Sequence, residues 1–311
     1  MPRIAILADI HANPPALDAV IADIAAQAVD EVIVAGDLVG RGPRGSAVVR
    51  RVAGLGWRCV RGNHEDYLLD LRAGRTPHGW RGDPAWAGAR WMAEELSADD
   101  AAFLAALPPA LVAARSGDVR VVHGTPASNR EGIGPWTSDE DLARIVAAVE
   151  EPVLVCAHTH RPLARRIGRS LVVNTGSVGL PFNGDWRAQY VVLDGGDGGS
   201  ASGRPIGADG WRVEHRTVEY DRAAMRRIYR ESGFLAAGGV TSALLALELE
   251  TARSVLVPYL VWAEKREEPA GWPSLWAFLD ETGWLETARA AGIVGDEHAA
   301  ADRAAGGDDR A

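Results

Sequence analysis

Five short pieces of the sequence are rich in side chains that bind metal ions. They hold five of the eight histidines in the chain, so the imidazoles are concentrated rather than scattered. The pieces are ADIHAN, GDLVGRGP, RGNHED, VVHGTP and CAHTHRP, and their donor residues are Asp9, His11, Asp37, Asn63, His123, His158 and His160. Seven oxygen and nitrogen donors of these types suit two divalent or trivalent first-row ions. A single Asp-x-His or His-x-His is more often structural, but five such pieces in order favour a metal site.

The elements that must position these donors are predicted β-strands, because each piece stands where an apolar run ends. Runs at 3–8 and 31–35 alternate with helical patterns, which predicts an α/β architecture with ligands at the carboxyl ends of parallel strands. Residues i and i+2 of a strand face the same side. We therefore expect this alternation to bring Asp9 together with His11, and His158 together with His160.

The rest of the chain divides into three predicted parts. Asn13 should cap a helix that begins at Pro14. Residues 72–90 have the composition of a long loop, and strands are predicted at 153–157, 163–167, 171–174, 189–193 and 211–218. After Tyr220 the pattern is helical only. We predict a domain at 1–220, a helical extension at 221–296, and a disordered tail at 297–311.

Composition limits the classes of partner. A net charge of −9 and a pI near 5.4 disfavour stable nucleic-acid binding, which requires clustered positive charge. The N-terminus lacks a signal-peptide pattern, and no unbroken run of about 18 apolar residues occurs. We expect a cytoplasmic protein without membrane association. The helical extension could cap the site, form a homo-oligomer or recruit a partner, and its residues do not decide among these.

The ordered set D-x-H, G-D, G-N-H, H-G and A-H-T-H, followed by NTGSVGLP at 174–181, resembles the calcineurin-like metallophosphoesterase superfamily, specifically its bacterial and archaeal branch of predicted phosphodiesterases. The resemblance covers residues 1 to about 220. It implies a four-layer α/β/β/α sandwich with two metal ions at the sheet edge. By that resemblance, one ion has the ligands Asp9, His11 and His160, the other has Asn63, His123 and His158, and Asp37 bridges the two.

The resemblance also implies a reaction. Two ions, with Mn, Fe or Zn the leading candidates, would lower the pKa of a bridging water, and the resulting hydroxide would attack phosphorus in line with the leaving group. His64 would protonate the leaving oxygen, although a structural role beside the ligands is the alternative. Arg41 could grip a phosphate oxygen or simply be a solvated loop residue. The substrate would be a small phosphodiester or a nucleotide.

Other functions of the same superfamily remain open. Serine/threonine protein phosphatases carry GDxxDRG, in which the second Asp orients the catalytic His. Gly40 stands at that position here, which weighs against a protein phosphatase and favours a phosphodiesterase. Hydrolysis of diadenosine tetraphosphate is a further alternative. A non-catalytic scaffold, like the retromer subunit of this fold with its degraded site, is disfavoured because every ligand position is filled. We expect Trp80, Trp86, Trp91 and Trp136 to serve packing rather than base stacking.

Overall fold

The computed structural model describes residues 2–195 and 208–295 of the 311-residue chain. Within these residues the strands are β1 Arg3–Leu7, β2 Glu31–Val34, β3 Arg58–Cys59, β4 Ala110–Val112, β5 Val119–Val122, β6 Val153–Cys156, β7 Leu163–Ile167, β8 Ser170–Asn174, β9 Ala188–Gly195 and β10 Trp211–Val218. The α-helices are α1 Pro14–Ala25, α2 Gly45–Leu55, α3 Asn63–Ala73, α4 Ala87–Glu95, α5 Ala98–Ala105, α6 Asp139–Val146, α7 Arg222–Glu231, α8 Phe234–Thr251, α9 Leu256–Lys265, α10 Trp272–Glu281 and α11 Leu285–Ala290.

The strands form two five-stranded sheets. The first has the order β10-β9-β1-β2-β3, with β1, β2 and β3 parallel and β9 antiparallel to both of its neighbours. The second has the order β4-β5-β6-β8-β7, with β5, β6 and β8 parallel and the two edge strands antiparallel. The parallel strands of each sheet therefore deliver their following loops to one edge, where ligands gather in such folds.

The alternation of apolar side chains separates two buried layers. Ile4 and Ile6 of β1 belong to the core between the two sheets, together with residues of β5, β6 and β8. Ala5 and Leu7 point to the opposite face, where they contact the core beneath α1 and α2. Leu142 of α6 covers the outer face of the second sheet. The helix–sheet–sheet–helix order confirms the predicted four-layer sandwich.

Most predicted elements are present, but the predicted loop at 72–90 is wrong. Short 3₁₀ turns occupy His78–Arg81 and Pro84–Trp86, and α4 begins at Ala87. Asp83 accepts a hydrogen bond from the amide of Ala85 and starts the second turn, because a carboxylate can satisfy an otherwise unpaired amide. The Gly, Pro and Arg content that suggested a loop therefore marks the ends of short helical turns.

The described chain after β10 consists of helices. Residues of α8, α9, α10 and α11 share a core of their own that includes Leu247, Tyr259 and Phe278, and α8 also packs against α4 and α7. The first sheet continues to Val218, because β10 pairs with β9 along its whole length. The tail predicted to be disordered lies outside the described residues.

Helix α8 is apolar enough to meet the length and composition of a membrane span, with a mean hydropathy of 1.3. In this structure 61% of that helix is buried within the protein, as expected of an interior helix. Gly239 interrupts it with φ 54° and ψ −133°. The expectation of no membrane association stays a prediction.

Candidate metal centre

All seven predicted donors lie at one edge of the two sheets, but the reason differs from the predicted one. Six of them stand just after β1, β2, β5 and β6, and Asn63 is the first residue of α3, which follows β3, so none lies in a strand itself. Asp9, His11, Asp37, His158 and His160 have φ angles of 52°, 48°, 54°, 67° and 56°. Such left-handed angles are uncommon for residues other than glycine and cluster at functional sites. For these five residues tight turns, and not strand alternation, direct the donor atoms. Asp9 lies with His11 as expected, whereas the expectation that His158 and His160 come together is wrong, because they belong to different sets.

One set of donors comes from the loops after β1 and β6. His11 Nε2 lies 3.0 Å from His160 Nε2, and Asp9 Oδ1 lies 3.9 Å and 3.6 Å from these two nitrogens. Asp9 Oδ1 is buried and has no hydrogen-bond partner in the described part of the chain, although the other oxygen, Oδ2, accepts a hydrogen bond from the His158 amide. A buried anionic oxygen without a partner is costly unless a cation is bound there.

The second set combines an amide with two histidines. Asn63 Oδ1 lies 2.9 Å from His123 Nε2 and 2.8 Å from His158 Nδ1. Asp37 Oδ2 is 3.3 Å from His123 Nε2 and 3.7 Å from His11 Nε2, so this oxygen stands between the two sets. Asp37 Oδ1 accepts a hydrogen bond from the His64 amide at 2.9 Å, which fixes the carboxylate in this orientation.

The Nδ1 contacts of three histidines indicate which nitrogen of each ring carries the free lone pair. His11 Nδ1 lies 3.2 Å from Val39 O, and His160 Nδ1 lies 2.6 Å from Leu180 O. His123 Nδ1 contacts Ala35 O at 2.8 Å in the same way. A neutral imidazole that donates from Nδ1 presents a bare lone pair at Nε2. His11 Nε2 and His160 Nε2 are two such acceptors and face each other at 3.0 Å, which fits a shared cation, and backbone carbonyls commonly orient metal-binding histidines in this manner.

The pKa shifts of the site residues favour the binding of a cation. Burial lowers the pKa values of His11 and His160 well below the ordinary value, and it lowers that of His158 to about 4. Burial raises the pKa of Asp9, and the nearby Asp37 carboxylate raises it further. Burial opposes charge on His123 as well, yet the Asp37 carboxylate beside it raises its pKa to about 10. The donor set therefore fits first-row metal cations.

Glu65 is a site residue that the sequence analysis missed. Its fully buried carboxylate accepts hydrogen bonds from the amides of Asp37, Leu38 and Gly62 at 2.9, 2.8 and 2.7 Å. Together these bonds shape the loop that carries Asp37. The signal was present in RGNHED, because an acid three residues after Gly62 can complete a capping box at the start of α3.

The NTGSVGLP stretch at 174–181 braces the ligand loops. Ser177 Oγ donates to Asp9 O at 2.8 Å, and Asn174 Nδ2 donates to Ala157 O at 2.7 Å. The Phe182 ring stacks on the His160 imidazole with centroids 4.3 Å apart. These contacts hold strained loops that could not keep their geometry alone.

His64 lies beside the donors and against Gly40. A Cβ atom at Gly40, whose φ is 77°, would lie 2.3 Å from His64 Nδ1, so the imidazole occupies the space that a side chain would need. Burial, together with the charge of Arg41, lowers the pKa of His64 to about 3, although Asp37 opposes the shift. The ring is therefore neutral near pH 7 before substrate binds.

Arg41 is not a solvated loop residue. Its Nε donates to His64 Nε2 at 3.3 Å, and its Nη1 donates to Glu248 Oε2 of α8 at 2.6 Å. The side chain is 13% exposed and that of Glu248 is 0% exposed. The guanidinium also lies over the Phe182 ring, 5.6 Å from its centroid. Arg41 thus joins the site to the helical extension.

The tryptophans largely follow the predicted packing role. Trp80 and Trp86 stack on each other with centroids 3.4 Å apart, and Trp91 contacts Phe234. Trp136 differs because it is 61% exposed, and the Arg161 guanidinium lies 5.1 Å from its ring centroid.

Comparison with known proteins agrees with this fold. A family model described as the calcineurin-like phosphoesterase superfamily domain matches residues 2–198. The chain therefore belongs to the calcineurin-like phosphoesterase superfamily, whose members are metal-dependent. The match ends before β10 and the helices that follow it.

Relatives cover most of the chain. A metallophosphoesterase from Sphaerobacter thermophilus is 30% identical, covers 76% of this chain and 99% of its own, and superposes with a TM-score of 0.60. A hypothetical protein from Pyrococcus horikoshii shares the fold at 24% identity, 79% and 98% coverage, and a TM-score of 0.63. An uncharacterized protein of Methanocaldococcus jannaschii is 25% identical over 233 residues, which is 70% of this chain and 88% of that protein.

A shorter match is to the symmetrical bis(5'-nucleosyl)-tetraphosphatase of Nitrosococcus oceani. It is 48% identical over 50 residues, which is 15% of this chain and 18% of that enzyme.

Proposed function

We propose that the protein is a phosphodiesterase with two metal ions, acting on a small phosphodiester or nucleotide. The observation that carries the proposal is the pair of donor sets whose lone pairs face each other, with Asp37 Oδ2 between them. Asp9, His11 and His160 would hold one ion, and Asn63, His123 and His158 the other, with Mn, Fe or Zn as the leading candidates.

The chain's own side chains have distinct tasks in this reaction. When bound, the two ions would supply polarisation of the phosphoryl group and activation of the attacking water. Asp37, which lies between the two donor sets, would fix their spacing. His64, neutral in the free site, would take up a proton from solvent water when the anionic ester binds and would pass it to the leaving oxygen. Arg41 would hold a phosphoryl oxygen beside it.

Charge and space both favour a diester. Arg41 is the guanidinium that contacts His64, and Glu248 already compensates its charge. A phosphodiester carries one negative charge near neutral pH, whereas a monoester carries nearly two because its second pKa is about 6. Gly40 leaves no carboxylate to orient His64 as in the protein phosphatases, and the ring fills the place where such a side chain would stand.

Hydrolysis of diadenosine tetraphosphate is a second candidate. The 50-residue match to the tetraphosphatase of Nitrosococcus oceani supports it. The exposed indole of Trp136 also offers a surface on which an adenine base could stack, although aromatic stacking of this kind is not specific for a base.

Metal analysis with a substrate panel tests the proposal. Metal-loaded protein should contain two equivalents of metal per chain and should lose its activity on chelation. The panel comprises bis(p-nitrophenyl) phosphate, p-nitrophenyl phosphate, a phosphoserine peptide and diadenosine tetraphosphate.

Each outcome separates one alternative. At most one metal equivalent, with activity unchanged after its removal, would contradict the proposal. Two metals without hydrolysis of any substrate would support a scaffold. Preference for the phosphopeptide would support a protein phosphatase, and preference for diadenosine tetraphosphate would support the second candidate.

A further inference from the structure

One buried carboxylate of the helical extension, that of Glu248, contacts Arg41 beside the candidate metal centre. Glu248 lies on α8, outside the matched family region, and its side chain is fully buried. Its Oε1 accepts hydrogen bonds from the amides of Val255 and Leu256 at 2.8 and 3.0 Å, and these fix the carboxylate at the start of α9. Its Oε2 accepts the hydrogen bond from Arg41. Two backbone amides therefore fix the Glu248 carboxylate independently of its contact with Arg41.

Arg41 is held at its backbone as well as at its side chain. Tyr229 of α7, also in the extension, donates from its hydroxyl to Arg41 O at 2.6 Å. The backbone at Arg41 has a φ of 59°, an angle that needs support from its surroundings. Two helices of the extension therefore fix this one residue of the loop that follows Asp37.

The contacts of the guanidinium leave part of it available. Nε meets His64 and Nη1 meets Glu248, whereas Nη2 has no protein hydrogen-bond partner among the described residues. Arginine carries five N–H groups in a planar fork, and fixing two nitrogens also fixes the direction of the third. A guanidinium immobilised in this way loses little entropy when it binds a phosphoryl oxygen.

We propose that Glu248 is a positioning residue that holds Arg41 beside His64 for phosphate binding, so that the helical extension completes the active site. The inference rests on the proposed function. It gives the extension a role in chemistry, whereas the sequence had left capping, oligomerisation and partner recruitment open.

Another ion pair of the same helix shows what a purely internal contact looks like. Glu250 of α8 accepts hydrogen bonds from Arg226 Nε at 2.6 Å and from Arg222. Both of these arginines belong to α7, so the pair only joins two helices of the extension. Glu248, in contrast, reaches a residue 207 positions earlier in the loop after β2. Glu250 therefore provides a matched control on the same helix.

The experiment compares Glu248→Gln with Glu250→Gln in the full-length, metal-loaded protein. The glutamine oxygen can still accept the Val255 and Leu256 amides, so the first variant places an NH2 group opposite Arg41 and removes both the charge and the hydrogen-bond acceptor there. We expect its kcat/KM for bis(p-nitrophenyl) phosphate to fall about 10- to 10²-fold, up to the lower limit for losing a transition-state donor. Metal content should remain at two equivalents. Glu250→Gln should keep the wild-type kcat/KM, whatever its melting temperature.

A double variant distinguishes positioning from a general structural effect. Arg41→Ala should lose at least as much activity as Glu248→Gln, and adding Glu248→Gln to Arg41→Ala should cause little further loss, because residues that act through one another are not additive. Tyr229→Phe should give a smaller loss in the same direction. Equal activity losses for Glu248→Gln and Glu250→Gln, or fully additive effects with Arg41→Ala, would overturn the inference.

Binding of inorganic phosphate keeps this test separate from the test of the proposed function. Calorimetry on the metal-loaded protein should show phosphate binding that weakens about tenfold or more in Arg41→Ala and Glu248→Gln but not in Glu250→Gln. If the wild type hydrolysed no ester yet showed this pattern, the proposed function would fail and the inference would stand. Phosphate binding that is unchanged in Glu248→Gln, or absent in the wild type, would overturn the inference even if hydrolysis were found.

Discussion

The loops at the candidate metal centre and the helical extension bury opposite kinds of side chain. The loops bury carboxylates and imidazoles on left-handed backbone, as at Asp9 and His158. The extension buries an apolar cluster around Tyr259 and Phe278 on ordinary helices. Buried polar groups and strained backbone cost free energy, whereas buried apolar area supplies it. The donor loops and the apolar core of the extension thus make opposite contributions to the free energy of folding.

The contact between Glu248 and Arg41 is where the two regions meet. A loop under strain keeps its geometry only when its surroundings determine it fully. Glu65 and the NTGSVGLP stretch provide that support from within the family fold, and Glu248 provides it from outside. Substitutions in the loops should therefore change activity more than stability, and substitutions in the helical core should do the reverse.

The largest effect on activity should come from Asp37→Asn. Asp37 stands between both donor sets, and an amide there removes the shared negative charge on which both proposed ions would depend. We expect kcat/KM to fall about 10³-fold or more, beyond the usual loss for one transition-state group. Metal content should fall below two equivalents by elemental analysis. A terminal-ligand variant such as Asn63→Ala that proved equally damaging would show that no single donor dominates.

His64→Gln should have the next largest effect. His64 belongs to neither proposed ligand set, so the variant should keep both ions, but it lacks a group that can deliver a proton. Hydrolysis of alkyl diesters should slow about 10²- to 10⁴-fold, and that of aryl diesters with good leaving groups far less. Equal losses for both classes would indicate positioning in place of proton transfer. Metal content must be measured in parallel, because a lost ion would also slow the reaction.

Gly40→Ala should have a moderate effect on activity. The new Cβ would collide with the His64 ring, and a displacement of about 1 Å can cost about 10²-fold in rate. Gly117→Ala is the matched control, since Gly117 has a similar φ of 71° with nothing within 4 Å of the added atom. Both variants should lose stability of about 1 kcal/mol from the left-handed backbone, but only Gly40→Ala should lose activity. Unchanged activity in Gly40→Ala would mean that the position of His64 is not critical.

The smallest effect on activity should follow from Phe278→Ala. Phe278 is buried against Tyr259 in the core of the extension, with ring centroids 5.5 Å apart. Loss of such a ring destabilises a fold by about 3–5 kcal/mol, which urea unfolding followed by circular dichroism would measure. Below the unfolding transition, kcat/KM should change less than about twofold. A large loss of activity in folded protein would show that the two regions are less separate than the structure indicates.

The sequence predicted the identity of the seven converging donors, because each one follows a strand and donor types can be recognised one piece at a time. It also predicted the cap at Asn13, which accepts the Ala16 amide at 3.1 Å. It did not predict how the donors converge. Left-handed angles at Asp9 or His11 are imposed by tertiary contacts, and nothing in the local composition distinguishes such a turn from a continuing strand.

Long-range charge pairs were beyond the reach of sequence patterns. Arg41 carried two open interpretations, and only the packing of α8 against the loop shows that Glu248 accepts its hydrogen bond. Glu65 could have been found from its spacing to Gly62, since that signal is local. Contacts that depend on tertiary packing have no periodicity and leave no comparable signal.

The distance along the chain between Arg41 and Glu248 also sets an order of events during protein synthesis. Translation completes the seven donors at His160, but Glu248 is added 88 residues later. At about 5–20 residues per second, several seconds separate the two moments. We expect a ribosome-bound chain that ends between β9 and α8 to present the donors with Arg41 still unanchored. A nascent chain would then remain a poor catalyst until α8 and the start of α9 emerge.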